Sequence, residues 1–283
     1  MELEDHFGDI VLKARAGLGL STDEVSKRTG VGKLEVTRIE SGSKIPSDPE
    51  IEKFAVLLGL APDKLKRIAS RAYLPGTSAP ARIKTVLPVI GWIGAYQVKG
   101  YILFDPASRE AAIVDTANNP DEMNELIARN GWKLKYILLT HTHPDHMGGI
   151  ERILQQNSVP VCVGEEEVAQ LGSLWDPGKD RPVREGDRLQ VGKLELEVAE
   201  VPGHTRGGRG YFNRDSVLPF GFFGDTIFAG SVGRAYAVQS YSTLLGSIKK
   251  KILSLSADTV LFPGHGPAMT VGEESLNNPF FEP

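Results

Sequence analysis

Residues 138–150 read LLTHTHPDHMGGI and place His141, His143, Asp145 and His146 within six positions. The chain has six histidines, so half of them stand in this one turn. A helix cannot gather these four side chains, because positions i and i+2 point about 200° apart. A loop leaving a strand can turn them toward one point. The flanks predict that arrangement: an apolar strand over ILLT, a turn stiffened by Pro144, and a helix starting in MGGIERILQ. Neutral imidazole and carboxylate are ligands that zinc accepts, and iron and manganese accept them too. Buried without a cation, four such groups would lose much hydration for nothing in return.

Three further islands repeat the pattern of an apolar run followed by a turn carrying a ligand-type residue. VPGHTRGG holds His204, GFFGDTIF holds Asp225 and LFPGHGP holds His265. A carboxylate inside FGFFGDTIFAG must leave water beside aromatic side chains, which calls for a counter-charge. Together the four islands contain five of the six histidines; His6, in a polar N-terminal stretch, reads as a surface residue. Seven ligands exceed one tetrahedral zinc and suit two metals sharing a carboxylate. Two metals about 3.5–4 Å apart can hold a hydroxide between them at near-neutral pH. The residues therefore point to metal-assisted hydrolysis before any family is considered.

The rest of the composition sets bounds. The 283 residues suffice for one large domain or two ordinary ones, and 41% hydrophobic with 24% charged is ordinary for a globular chain. A net charge of −4 argues against general polyanion binding. The single cysteine, Cys162 in VPVCVG, reads as a buried strand residue, and it leaves no disulfide to form within the chain. The N-terminus MELEDHFGDI lacks the basic and apolar segments of a secretory signal, and no apolar stretch approaches the roughly 20 residues of a membrane span. A cytoplasmic protein is expected.

Two halves differ in character. Residues 1–72 read as helix throughout: a stripe in FGDIVLKARAGL, a capping box from Ser21 to Glu24, a helix ended by Gly30, then GKLEVTRIESG, DPEIEKFAVLLGL and APDKLKRIA. Residues 73–83, YLPGTSAPARI, read as a linker. From residue 84 short β-rich runs alternate with helices, which predicts sheets covered by helices over residues 84–283.

THTHPDHMGG, PGHT, GDTIF and PGHG, in that order, resemble the metallo-β-lactamase superfamily. The resemblance implies an α/β fold, an αββα sandwich with a dinuclear site at one edge. It implies that His141, His143 and His204 hold one metal, that Asp145, His146 and His265 hold the other, and that Asp225 bridges. Asp145 and Asp225 are then the carboxylates of catalysis. Two divalent ions are expected, zinc first, with iron or manganese as alternatives. FAGSVGR, SIKKKILSLSADTVLFPGHGP and VGEESLNNPFF are similar to the compact glyoxalase II-like hydrolases, which implies hydrolysis of a thioester or other ester of a small molecule. True glyoxalase II carries a further C-terminal helical domain that helps bind glutathione, and the sequence ends about 18 residues after His265. After VGR such hydrolases usually carry Thr-Asp or Ser-Asp, where this chain has Ala235-Tyr236; after PGHT they usually carry Pro-Gly, where it has Arg206-Gly207. These departures make Arg206, Arg209, Arg234, Tyr236 and Tyr241 the candidate substrate contacts. Persulfide dioxygenases resemble the chain as well and would hold one iron through the equivalents of His141, His204 and Asp225.

LSTDEVSKRTGVGKLEVTRIESGSKIPSDPEIEKFAVLLGL resembles the all-α helix-turn-helix domain of Cro/C1-type (XRE family) repressors. In such domains the second helix of the motif lies in the major groove of double-stranded DNA. Its outward residues here would be Lys33, Leu34, Glu35, Thr37 and Arg38. Residues 1–71 hold 12 Lys plus Arg against 12 Asp plus Glu, so this region starts without the cationic surplus that phosphate contacts use. Two expectations stand side by side. One is a hydrolase with a DNA-binding regulatory domain. The other is a metal- or ligand-sensing transcriptional regulator with little catalysis. A DNA-reading module would favour a homodimer.

Overall fold

The computed structural model describes residues 2–214 and 217–282. The N-terminal part is helical: α1 (Phe7–Gly17), α2 (Thr22–Thr29), α3 (Lys33–Glu40), α4 (Asp48–Leu58) and α5 (Pro62–Ala69). Local chemistry sets the starts. The Ser21 hydroxyl accepts from Glu24 N at 3.2 Å while the Glu24 carboxylate accepts from Ser21 N at 2.7 Å. Ser47 and Glu50 repeat the device at α4, with Pro49 in the first turn. His6 is exposed, as expected, but it also caps α1 by accepting from Gly8 N and Asp9 N. A short helix α6 (Ser78–Arg82) lies within the stretch that reads as a linker, and Tyr73 and Ile83 on either side of it are buried.

Strands begin at Val86. The first sheet runs β1 (Val86–Ile93), β2 (Tyr96–Phe104), β3 (Glu110–Val114), β4 (Lys133–Leu138), β5 (Val161–Gly164) and β6 (Arg181–Val183), paired in that order. Its first two pairings are antiparallel and the rest parallel. The parallel pairs are joined through α7 (Pro120–Asn130), then α8 (Pro144–Met147) and α9 (Ile150–Gln156), then α10 (Val168–Leu171).

The second sheet uses β7 (Arg188–Val191), β8 (Leu194–Glu200), β9 (Arg209–Asn213), β10 (Phe220–Gly224), β13 (Val260–Pro263) and β14 (Met269–Thr270). Their spatial order is β14-β13-β10-β9-β8-β7. A small hairpin of β11 (Ile227–Phe228) and β12 (Ser231–Val232) follows β10, and α11 (Val238–Ser247) and α12 (Val271–Asn277) flank β13 and β14.

Burial arranges these elements in layers. Leu103, Val114, Leu138 and Cys162 of the first sheet meet Leu196, Val198, Tyr211, Phe222 and Phe262 of the second. The outer face of the first sheet buries Ile102, Ile113 and Ile137 against Met123, Ile127 and Ile153 of α7 and α9. The outer face of the second sheet buries Ala199, Phe212 and Phe223 together with Leu244, Ile248 and the N-terminal Phe7, Ile10, Val11 and Phe54. The result is an αββα sandwich with the helical N-terminal region packed onto one outer layer. Cys162 is buried between the sheets, and burial pushes its thiol up to about 12, far from a nucleophile's range.

The helical region and the sandwich therefore share one apolar core. Lys64 Nζ donates to Ser275 O at 2.8 Å and Phe281 O at 2.5 Å, and Ala61 N donates to Pro279 O. Tyr73 Oη donates to the buried Glu274 at 2.6 Å. Among the described residues, no helix is long and apolar enough to cross a membrane.

Candidate metal centre

Each candidate ligand follows the C-terminal end of a strand. His141 to His146 follow β4, His204 follows β8, Asp225 follows β10 and His265 follows β13. Neighbouring strands in each sheet bring these loops to one edge, and the facing sheets bring the two sets together. The turn after β4 is partly helical: Pro144 starts α8, and His146 N donates to His143 O at 2.9 Å.

The seven side chains converge in two groups, one of His141, His143 and His204 and one of Asp145, His146, Asp225 and His265; within each, the ligand atoms lie within 4.8 Å of one another. His143 Nδ1 is 3.0 Å from both His141 Nε2 and His204 Nε2. In the second group, His146 Nε2 is 3.1 Å from Asp225 Oδ1, and His265 Nε2 is 3.2 Å from Asp145 Oδ2. Asp225 serves both groups with different oxygens: Oδ2 lies 3.6 Å from His204 Nε2, while Oδ1 faces His146 and His265. Ligands about 2.0–2.1 Å from a tetrahedral zinc stand a little over 3 Å apart, so these spacings fit a cation in each group.

Three observations test the fit independently. Buried Asp225 Oδ1 and His146 Nε2 have no hydrogen-bond partner, although both point into the second group. A Cβ on Gly264 would lie 2.4 Å from His146 Cε1 and 2.5 Å from Asp225 Oδ1, so only glycine leaves the space between them. The outer partners also set the imidazole tautomers. His146 Nδ1 donates to Asp115 Oδ2 at 2.9 Å, His265 Nδ1 to Gln97 O at 2.6 Å and His204 Nδ1 to Arg234 O at 2.8 Å. Thr140 Oγ1 gives its proton to Asp115 at 2.7 Å and so accepts from His141 Nδ1 at 3.1 Å. Each of these four rings thereby turns Nε2 to the centre, as ligating histidines do.

Charge tells the same story. Burial raises Asp225, but the charges of His146 and His265 hold its carboxyl well below the usual range. Burial would lower His146, yet Asp225 and Asp115 carry it to about 10; His265 reaches about 11 against burial through Asp225 and Asp145. Burial, with the neighbouring histidines, drives His141 well below its ordinary value. Without a cation, then, the acidic group keeps protons on two histidines, while burial drives His141 and His204 toward the neutral form. Metal ions would replace those protons.

Two carboxylates escaped the sequence reading. Asp115 follows β3 and accepts from Thr140 N at 2.8 Å as well as from Thr140 Oγ1 and His146. It sits at φ +53°, a left-handed conformation that costs an L-residue about 1–2 kcal/mol. AAIVD has the same grammar of strand then ligand-type residue as the four islands, and that signal could have found it. Glu167 stands in the run EEE, which carries no local sign of burial. It is in fact buried, accepting from Thr142 N at 3.2 Å, from the Thr142 hydroxyl, and from Gly207 N at 3.0 Å. It clamps the His141–His143 loop to the His204 loop.

A cavity of about 500 Å³ opens onto both groups and is lined in part by Tyr96, Phe228, Arg234 and Tyr236. Arg234 and Tyr236, two of the candidate substrate contacts, thus line the cavity. Arg209 and Tyr241 do not, and both expectations are corrected. The Arg209 guanidinium is 2% exposed, spent on Val183 O, Gly207 O and Glu166. Tyr241 is buried where α11 meets α1, with its ring against Gly17. Arg206 is exposed and lies outside the cavity lining. On α3, Lys33, Leu34, Thr37 and Arg38 are exposed and Glu35 is half-buried. Lys33 pairs with Asp23, and Glu35 with Arg38 and Lys44.

The chain belongs to the metallo-beta-lactamase superfamily, whose pattern matches residues 94–265. A helix-turn-helix domain pattern matches residues 11–68. Hydroxyacylglutathione hydrolase GloC of Haemophilus influenzae is 30% identical over 203 residues, which is 66% of this chain and 94% of that one. Hydroxyacylglutathione hydrolase of Brucella ovis is 34% identical over 168 residues, 59% of this chain and 61% of that one. The chain thus spans less than two thirds of the Brucella protein. Among solved structures, the BLEG-1 B3 metallo-beta-lactamase matches with a TM-score of 0.59 at 29% identity, covering 69% of this chain and 99% of that one. TTHA1623 in a di-iron-bound form matches at 0.57 and 29% identity, covering 69% and 100%. ETHE1 from Myxococcus xanthus shares the fold at 0.57 and 23% identity, covering 68% and 83%.

Proposed function

We propose that this protein is a two-metal hydrolase acting on a thioester or other ester of a small molecule. The observation that carries the reading is Asp225, whose two oxygens face two separate ligand groups beside an open cavity. His141, His143 and His204 would hold one ion and Asp145, His146 and His265 the other, with Asp225 between them. When bound, such a pair supplies a water with a pKa lowered toward neutrality and a Lewis acid for the scissile carbonyl. Zinc is the first expectation, and the di-iron form of TTHA1623 keeps iron in view.

The chain's own residues complete the site. Asp145 is one-quarter exposed at the cavity, where its carboxylate can accept a proton of the attacking water and orient it. Asp225 fixes the spacing of the two groups. Arg234 and Tyr236, at the cavity wall, contact the substrate. The names of the Haemophilus and Brucella relatives make glutathione thioesters the first substrates to try.

The test is metal content followed by turnover. Two ions per chain, hydrolysis of a thioester or ester, and loss of turnover in folded Asp225→Ala support the reading. Turnover retained by Asp225→Ala would refute the mechanism, and one iron per chain with oxygen uptake on persulfides would replace it with the dioxygenase.

The exposed face of α3 favours a second role, binding of double-stranded DNA by a homodimer in the cytoplasm. Salt-sensitive binding to the chain's own promoter supports it, and no binding at low salt refutes it.

A further inference from the structure

The cavity is not built by the sandwich alone. Glu4, Asp5 and Lys13 line it beside His143, Asp145 and Phe228. These three residues precede the stretch 94–265 that matches the family, so this wall is an addition to the family's site. Its attachment is specific. Residue Glu4 crosses Gly266, next to His265, closely enough that a Cβ there would lie 3.1 Å from Glu4 N. Lys13, on the buried side of α1, pairs with Asp5, donates to Val232 O at 2.9 Å, and stands 4.9 Å above the Phe228 ring. The Lys13 and Asp5 side chains are 12% and 8% exposed, so the pair is largely removed from water.

Val232 begins the segment that matters. Gly233 packs against Asp225, where a Cβ would lie 1.7 Å from Asp225 O, and Arg234 O accepts from His204 Nδ1 at 2.8 Å. One segment thus packs on the main chain of Asp225 and sets a ring of the histidine group. Lys13 hydrogen-bonds this segment from the helical region.

We propose that the helix-turn-helix region is a working wall of the metal pocket, and that Lys13 is a positioning residue that orients His204 through Val232–Arg234. The inference rests on the two-metal reading above. It also makes the site and the helical region thermodynamically linked: whatever shifts α1 changes the pocket, and whatever fills the pocket biases α1.

The test uses the full chain, stripped of metal and titrated with cobalt(II), whose visible spectrum reports the ligand set. Lys13→Met keeps the apolar stem over Phe228 and removes the donor. Because it strands Asp5 in a buried site, the double variant Lys13→Met/Asp5→Asn is measured beside it. Lys64→Met, which cuts bonds between the same two regions away from the cavity, is the control. The expected result is a cobalt dissociation constant for the histidine group raised on the order of 10-fold, the lower end of the effect of losing a partner behind a ligand, with an altered spectrum. Lys13→Arg restores both, and Lys64→Met changes neither. A double variant with wild-type affinity and spectrum overturns the inference, as does an equal change in Lys64→Met, which would reveal general loosening. A wild-type chain that takes up no cobalt refutes the two-metal reading itself, and this inference with it.

Discussion

Asp115→Asn changes one atom beside His146 Nδ1 and should disable that histidine as a ligand without touching its ligating nitrogen. Oδ1 of Asp115 accepts from Thr140 N, and Oδ2 accepts from Thr140 Oγ1 and His146 Nδ1. In the asparagine variant one of these oxygens becomes an NH2 donor. With the amide nitrogen at the Oδ2 position, His146 Nδ1 faces a donor and must become an acceptor. Its proton then moves to Nε2, the atom that lies 3.1 Å from Asp225 Oδ1 and is needed for the metal. The flipped amide fares no better, because its NH2 then meets the buried Thr140 N–H. Loss of such an outer-shell partner lowers metal affinity about 10–100-fold, or about 1.4–2.7 kcal/mol. The loss should fall mainly on the group of Asp145, His146 and His265. The assay is a zinc competition titration of metal-free protein against a chromophoric chelator, with circular dichroism to show an unchanged fold. Two sites of wild-type affinity in a folded Asp115→Asn protein would refute the tautomer argument.

Other outcomes follow from the same geometry. Glu167→Gln must lose either the Gly207 bond or the Thr142 bonds, so the histidine group should weaken about 10–100-fold while the acidic group holds, by the same titration. Metal uptake near pH 7 should release protons from His146 and His265, whose metal-free values are about 10 and 11, so affinity rises with pH; calorimetry in buffers of different ionisation enthalpy that shows no proton release would contradict this. Buried Glu274, which joins Tyr73, Gly230 and Asn278, is raised from 4.5 to about 7 chiefly by burial. A carboxyl raised on folding stabilises fully below its unfolded value and loses that contribution as pH rises through the folded one. About 3 kcal/mol should therefore be lost between about pH 4.5 and 7, and Glu274→Gln should flatten that part of a denaturation series. Tyr236→Ala should raise KM for the substrate with little change in melting temperature, whereas Tyr241→Ala, emptying a buried site, should cost about 3–5 kcal/mol in stability.

The candidate centre was legible where spacing alone carries information. His141, His143, Asp145 and His146 are too close in sequence for a helix to gather, and the other three ligands each stand in a glycine- or proline-flanked turn after an apolar run. The helical N-terminal region was legible for a similar reason, since the capping box at Ser21 and the prolines opening the later helices act within three residues. Arg209 and Tyr241 were misread because sequence proximity to a ligand says nothing about which face of a strand or helix a side chain takes. Glu167 was hidden because a run of three glutamates looks solvated until Thr142 and Gly207, 25 and 40 residues away, are seen to enclose one of them.

By itself, then, the sequence determined the chemistry of the ligands, the order of the elements and the existence of two halves. All of these are written in local patterns of period, cap and turn. Tertiary structure alone decided that Asp225 offers one oxygen to each ligand group, that Asp115 and three other acceptors set the imidazole tautomers, and that Lys13 reaches Val232 from the other half of the chain. These are contacts between residues far apart in sequence. They depend on how the sheets, loops and helical region pack, and no local pattern encodes that packing.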